Sequence, residues 1–224
     1  MNSRKLEDSH KGAQLELIAL VIQGFVAIGT LSVAASAIWG DWIRHKVAGP
    51  KLRIALSDSE GTLTRQNDGQ QGRYYKVRVW NERKWSPARN TRVVLKSLYK
   101  RTTDGSFVPE PLSGPLQLTW QWLVPQFPTV GAGEEVCTFA RLIQGEPRLV
   151  LSTYTIPNNF TGFIGAKESM IIEIAAVSDT ADSEPLLLEL FWNGSWSDNP
   201  SEMAKNVVIK NWVTSCLSNG VAVG

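Results

Sequence analysis

The chain has 224 residues, 43% hydrophobic and 20% charged, a balance that excludes a wholly disordered or low-complexity protein. Its net charge of +2 hides a split: residues 41–101 carry 15 Lys/Arg against 5 Asp/Glu, and residues 102–224 carry 5 against 13. Two cysteines, Cys137 and Cys216, are too few for a disulfide framework and read as two unpaired thiols.

After a polar tail at residues 1–16, the first element is an apolar stretch, Leu17–Trp39, with no charged side chain. Its 23 residues would reach about 35 Å as a helix, enough to cross a hydrocarbon core about 30 Å thick. Trp39 and Trp42, then Arg44, His45 and Lys46, follow in the order expected at the edge of a spanning helix. The competing reading is a signal peptide: Arg4 and Lys5 lead the stretch, and Ala35-Ser36-Ala37 resembles a cleavage site. Cleavage after Ala37 would release an exported domain. Glu7, Asp8 and Glu16 in the leading tail, and an apolar run longer than a signal's about 7–15 residues, favour a retained single-pass anchor in the cell membrane. Arg44, Lys46, Lys51 and Arg53 behind the helix outnumber Arg4, Lys5 and Lys11 before it, which places the C-terminal domain on the cytoplasmic side. Ser32, Ser36 and Gly40 recur every four residues, and Gln23 could hydrogen-bond in lipid, so this face is a candidate surface for self-association into a homo-oligomer.

Residues 40–50 read as a juxtamembrane linker, residues 51–214 as a β-sandwich domain and residues 215–224 as a tail. Lys51–Ser57 alternates Leu52, Ile54 and Leu56 against Lys51, Arg53 and Ala55, as a half-buried strand does. Asp58–Gly72 is polar and reads as a loop. Arg73–Asn81 sets Tyr75, Val77 and Val79 against Tyr74, Lys76, Arg78 and Trp80, and Thr91–Arg101 follows a turn at Pro87. Five prolines between Phe107 and Thr129 break the chain around a short Leu116–Leu123 segment. Further strands are expected at Val136–Ile143, Arg148–Thr155, Ser169–Ser178, Leu186–Trp192 and Lys205–Val213, with Ser169–Ser178 and Leu186–Trp192 apolar enough to be central. About nine short strands and no long helical period indicate a mainly β, antiparallel sandwich behind one transmembrane helix.

Tyr75-Lys76-Val77-Arg78-Val79-Trp80-Asn81, followed by Ser86-Pro87-Ala88-Arg89-Asn90-Thr91-Arg92-Val93-Val94-Leu95, resembles immunoglobulin-like and CARDB-like adhesion-type domains. In those a strand ends in Asn, a turn of small residues follows, and the next strand begins. The resemblance extends to membrane-anchored bacterial proteins of uncharacterised role. It implies a fold and carries no activity or functional residue with it.

No phosphate-binding loop, dinucleotide fingerprint, H-E-x-x-H or C-x-x-C occurs, and residues 46–224 hold no histidine for a nucleophilic triad or a zinc site. The expectation is therefore a non-enzymatic protein without a cofactor or metal. Asp179, Asp182 and Glu184 fit no defined calcium-loop spacing and read as a solvated turn. Trp120/Trp122 and Trp192/Trp196 read as core pairs.

The basic half offers a binding candidate. If strands 73–81 and 91–101 are neighbours, Lys76, Arg78, Arg92 and Lys96 share one outward face that would attract an anionic ligand such as a nucleotide, a nucleic acid or lipid headgroups. Tyr74, Trp80 and Trp85 would supply stacking surfaces. The competing view is a solvated face that keeps a strand from aggregating. Two functional expectations result: an interaction module for a protein partner in a membrane complex, or a membrane effector gated by an anionic ligand through an oligomerising helix.

Overall fold

In the computed structural model, residues 20–40, 48–66, 69–121 and 126–212 are described. The chain divides into two units, Met1–Ala48 and Gly49–Gly224. In the first unit, α1 (Leu20–Gly40) is long and apolar enough to cross a membrane, a property that a signal sequence near the N-terminus shares. Leu20, Phe25, Leu31, Val33 and Ile38 are all exposed. Leu17, Ile18, Ala19, Trp42 and the cations at 44–46 lie outside the described residues.

The second unit is built from antiparallel strands. In chain order they are β1 (Leu52–Leu56), β2 (Thr62–Arg65), β3 (Gln71–Asn81), β4 (Arg92–Arg101), β5 (Phe107–Glu110), β6 (Leu116–Gln117) and β7 (Thr119–Trp120). After them come β8 (Glu134–Ile143), β9 (Leu149–Leu151), β10 (Phe163–Ile164), β11 (Glu168–Val177), β12 (Leu186–Trp192), the helix α2 (Pro200–Asn206) and β13 (Val207–Trp212). One sheet has the order β1-β3-β8-β9-β10, with β2 on β3 and β7 on β8. The other has the order β13-β12-β11-β4-β5, with β6 on β4. One hydrophobic core draws on both: Tyr75, Val77, Val79, Phe139 and Leu142 from the first sheet, and Val93, Leu95, Leu98, Ile172, Ile174 and Leu190 from the second. Each such side chain stabilises the unit by about 1.5–3 kcal/mol relative to exposure.

The alternation seen in the sequence is realised where strands are regular and is reset at two bulges. In β4, Ser97 pairs with Glu173 and Leu95 with Ile174, so Lys96 is the extra residue, and the inward set continues at Leu98 after Val93 and Leu95. In β8, Ala140 pairs with Tyr75 and Thr138 with Lys76, so Phe139 is the extra residue. Phe139 and Ala140 both enter the core as a result. An inserted residue shifts side-chain parity for the rest of the strand.

Four expectations are corrected. β3 and β4 are not neighbours: they lie in different sheets, and the segment between them crosses from one sheet to the other. Asn81 shapes that crossing, its Oδ1 accepting from the backbone of Lys51 and Arg83 and its Nδ2 donating to Ser86 O at 2.7 Å. Asp58–Gly72 is not wholly a loop, because β2 forms a hairpin arm on β3 whose four residues are all exposed. The proline-broken middle contains an edge strand, β5, and Leu116–Trp120 steps from the second sheet to the first through β6 and β7. Lys205 and Asn206 end α2 rather than begin a strand; Pro200 opens that helix and the Asn199 side chain caps it.

β11 is the central strand of its sheet, and Ile171 and Ala175 on its outer side are as fully buried as its core residues. Phe107 of β5 and Trp212 of β13, from the two ends of the strand order, meet edge to face with 5.9 Å between ring centroids. The sheet therefore curls over its own outer face, an extreme of the usual strand twist.

Candidate ligand groove on the first sheet

The outer face of the first sheet follows from the register. Thr62 lies opposite Tyr74, Tyr74 opposite Arg141, Lys76 opposite Thr138 and Arg141 opposite Val150, and directly paired residues share a face. These residues line a groove of about 480 Å³, completed by Thr64, Thr119, Trp120, Gln121, Leu151, Ser152, Thr153 and Ile156. Its lining is rich in hydroxyls and includes the exposed Ile156 and two cations, Lys76 and Arg141.

Two electrostatic features distinguish this groove. Lys76 and Arg141 form no ion pair among the described residues, whereas cations on the neighbouring β1 and further along β3 are engaged. Lys51 and Arg53 hold Glu82, each at 2.7 Å, and their hydrogen bonds keep its carboxyl below the usual range. Arg78 lies 4.0 Å from Glu134 and stacks 5.5 Å over Trp80. The second feature is a deficit of hydrogen bonds. Among the described residues, five buried side-chain polar atoms lack a partner, and three belong to groove residues: Trp120 Nε1, Ser152 Oγ and Thr153 Oγ1. Each such atom costs about 1–3 kcal/mol while unsatisfied. All three are closed off from solvent, and Trp120, paired with Cys137, turns its indole to the core.

The expected basic face is split by the fold. Lys76 and Arg78 lie on the first sheet, and only Lys76 lines the groove. Arg92 and Lys96 belong to the second sheet: Arg92 stacks 5.9 Å from the Phe127 ring, and Lys96 is the exposed bulge residue of β4. Arg141, which strand alternation does not single out, takes the place expected of Arg92. Tyr74 is a groove wall whose hydroxyl accepts from Gln66 Nε2 at 3.1 Å, while Trp85 is exposed elsewhere. On α1, Gln23, Ser32 and Ser36 are exposed and Gly40 is half-buried. The Ser32 hydroxyl donates back to Ile28 O at 2.8 Å and so is used within the helix.

The remaining candidates are spoken for. Asp179 accepts from Asn90 Nδ2 at 2.7 Å and Glu184 pairs with Arg53 at 3.3 Å, and among the described residues no group of three His, Cys, Asp or Glu side chains is placed to hold a metal ion. Trp120 and Trp192 are buried, and Trp122 lies outside the described residues. Trp192 and Trp196 line a second cleft of about 380 Å³, but their indole N–H groups already donate to Ser195 O and Asp198 Oδ1. Burial pushes the Cys137 thiol well above its ordinary range, which makes it a poor nucleophile. Neither a scan against models of protein families nor a search of curated proteins finds a match for this chain.

Proposed function

We propose that this chain is a non-enzymatic binding module, anchored in a membrane by α1, whose β unit holds an anionic small molecule in the groove of the first sheet. The observation that carries this reading is the meeting in one hydroxyl-lined concavity of two cations, Lys76 and Arg141, that form no ion pair among the described residues. A phosphate or carboxylate would neutralise the cations and accept from hydroxyls of the lining. The β unit is read as an immunoglobulin-like sandwich. In support, β1-β3-β8 with β7 on one sheet, and β12-β11-β4 on the other, follow the A-B-E-D and G-F-C orders of a constant-type domain. Asn81 closing β3 before the crossing agrees with the same likeness.

The binding test uses the full chain in mild detergent, titrated with inorganic phosphate, thymidine monophosphate and succinate by calorimetry. Binding of at least one of these should weaken with salt and fall about 10- to 100-fold in Lys76→Glu and in Arg141→Glu, the cost of one charge-assisted hydrogen bond of about 1.5–3 kcal/mol. Arg92→Glu and Lys96→Glu, on the other sheet, should leave it within about twofold. No binding of any of the three, or equal losses in all four variants, overturns the reading.

The anchor has its own test. The full chain should remain with membranes after alkaline carbonate extraction, keeping its N-terminus intact, and a chain starting at Gly49 should be soluble with an unchanged β-type circular dichroism spectrum. A mature N-terminus at Ile38 would establish export instead. A reporter fused to the C-terminus should be active on the cytoplasmic side.

A further inference from the structure

The outer face of the first sheet does not end with the groove. Val150 lines the groove and pairs with Phe163 of β10, so the Phe163 ring stands on the same face one strand further on. Two cations converge on that ring. Arg148 Cζ lies 4.3 Å from its centroid and Lys100 Nζ, reaching over from the second sheet, lies 4.6 Å from it. Neither Lys100 nor Arg148 forms an ion pair among the described residues. The ring's π-cloud holds each cation without neutralising it, so either remains able to bind an anion.

Arg141 and Phe163 are separated by β9, two strand spacings or about 10 Å. The floor between them is Val150. The face thus presents two cationic subsites, Lys76/Arg141 and Lys100/Arg148, with an apolar gap. A ligand with a single anionic head fills one subsite. The adjoining phosphates of a nucleoside diphosphate share an oxygen and are too close to reach both. Phosphates on separate residues of a phosphodiester chain can reach both, and Tyr74 and Ile156, in the lining of the groove, then offer flat or apolar surface to its bases. A sulfated glycan has no planar bases to stack on that surface.

We infer that the groove and the Phe163 corner form one track for a short single-stranded phosphodiester chain, with Lys76/Arg141 and Lys100/Arg148 holding phosphates on different nucleotides. This rests on the groove being an anion site, as proposed above, and deepens it by naming the ligand class.

The test is fluorescence anisotropy on the full chain in detergent, with labelled oligothymidylates of three, six and twelve residues competed by thymidine monophosphate. The six-residue strand should bind at least about tenfold tighter than the monophosphate, with little further gain at twelve. In the double variant Lys100→Gln/Arg148→Gln that gain should vanish while monophosphate binding is unchanged, which also shows that the variant is folded. The slope of log K against log salt for the six-residue strand should become shallower by about 1.4, because two of its phosphates are no longer neutralised. A six-residue strand no tighter than the monophosphate, or a gain that survives the double variant, overturns the track but leaves the groove standing. Tighter capture by a heparin hexasaccharide or by phosphatidylserine vesicles also overturns it. Failure of the monophosphate and of every strand to bind overturns both readings.

Discussion

Replacing Arg73 with methionine should lower the unfolding free energy by about 3–5 kcal/mol, the largest loss expected from one side chain outside the apolar core. Arg73 is fully buried on β3 and forms no ion pair among the described residues. Its charge is solvated by backbone carbonyls. Nη1 donates to Glu60 O at 3.0 Å and Gly61 O at 3.1 Å, and Nη2 donates to Asp198 O at 2.7 Å and Ser197 O at 3.3 Å. The first pair belongs to the loop before β2, the second to the segment before α2, so one guanidinium ties two distant stretches to the end of the first sheet. Methionine would fill most of the volume but leave four carbonyls without that donor, at about 1–3 kcal/mol for each one that water cannot reach. Arg73→Lys should cost less, since an ammonium keeps the charge and three donors but loses the planar fork. Urea unfolding of the full chain in detergent, followed by tryptophan fluorescence, measures both. A loss below about 1 kcal/mol for methionine would mean that the carbonyls are solvated by other means.

Gly61 shows why that corner tolerates little change. Its φ of +71° suits glycine, and a Cβ there would come within 2.8 Å of the Tyr75 ring. The loop is pinned from both sides, by Arg73 on its carbonyls and by Tyr75 against its Cα.

The strands with a clean two-residue period were legible in the sequence. β1, β3, β4 and β12 each alternate or run apolar in a way that the core then uses, since burial of one face is what creates the pattern. β2 was invisible for the converse reason: all four of its residues are exposed, so its only support is backbone pairing with β3, which leaves no trace in side-chain type. β5 carries Pro109 on an edge, where a missing N–H is tolerated, and read as a break. The adjacency of β3 and β4 could not be read from pattern at all. A ten-residue connection serves a hairpin or a crossing equally well, and here the Asn81 side chain and the Ala88–Val130 bridge hold it as a crossing. The candidate site was legible in half. Lys76 follows from alternation in β3, whereas strict alternation in β8 sets Arg141 with Cys137 and Phe139, on the core side. The bulge at Phe139 reverses that and delivers Arg141 to the groove.

The bulge residue gives the second large effect. Deleting Phe139 should lower the unfolding free energy of the β unit by about 3–5 kcal/mol, Phe139→Leu should cost about 1–2 kcal/mol, and both should keep the groove. Phe139 is fully buried, so loss of its ring to alanine alone would cost about 3–5 kcal/mol. Deletion removes the ring and the bulge together. With Thr138 still opposite Lys76, Ala140 stays opposite Tyr75 in the core and Arg141 opposite Tyr74 in the groove, now in unbroken alternation. The first half of the strand keeps its register through Val77–Cys137 and Val79–Glu135. Urea unfolding and anion titration of the deletion variant separate the outcomes. A variant that folds but no longer binds the anion would mean that the bulge itself, and not the parity downstream of it, places Arg141 in the groove.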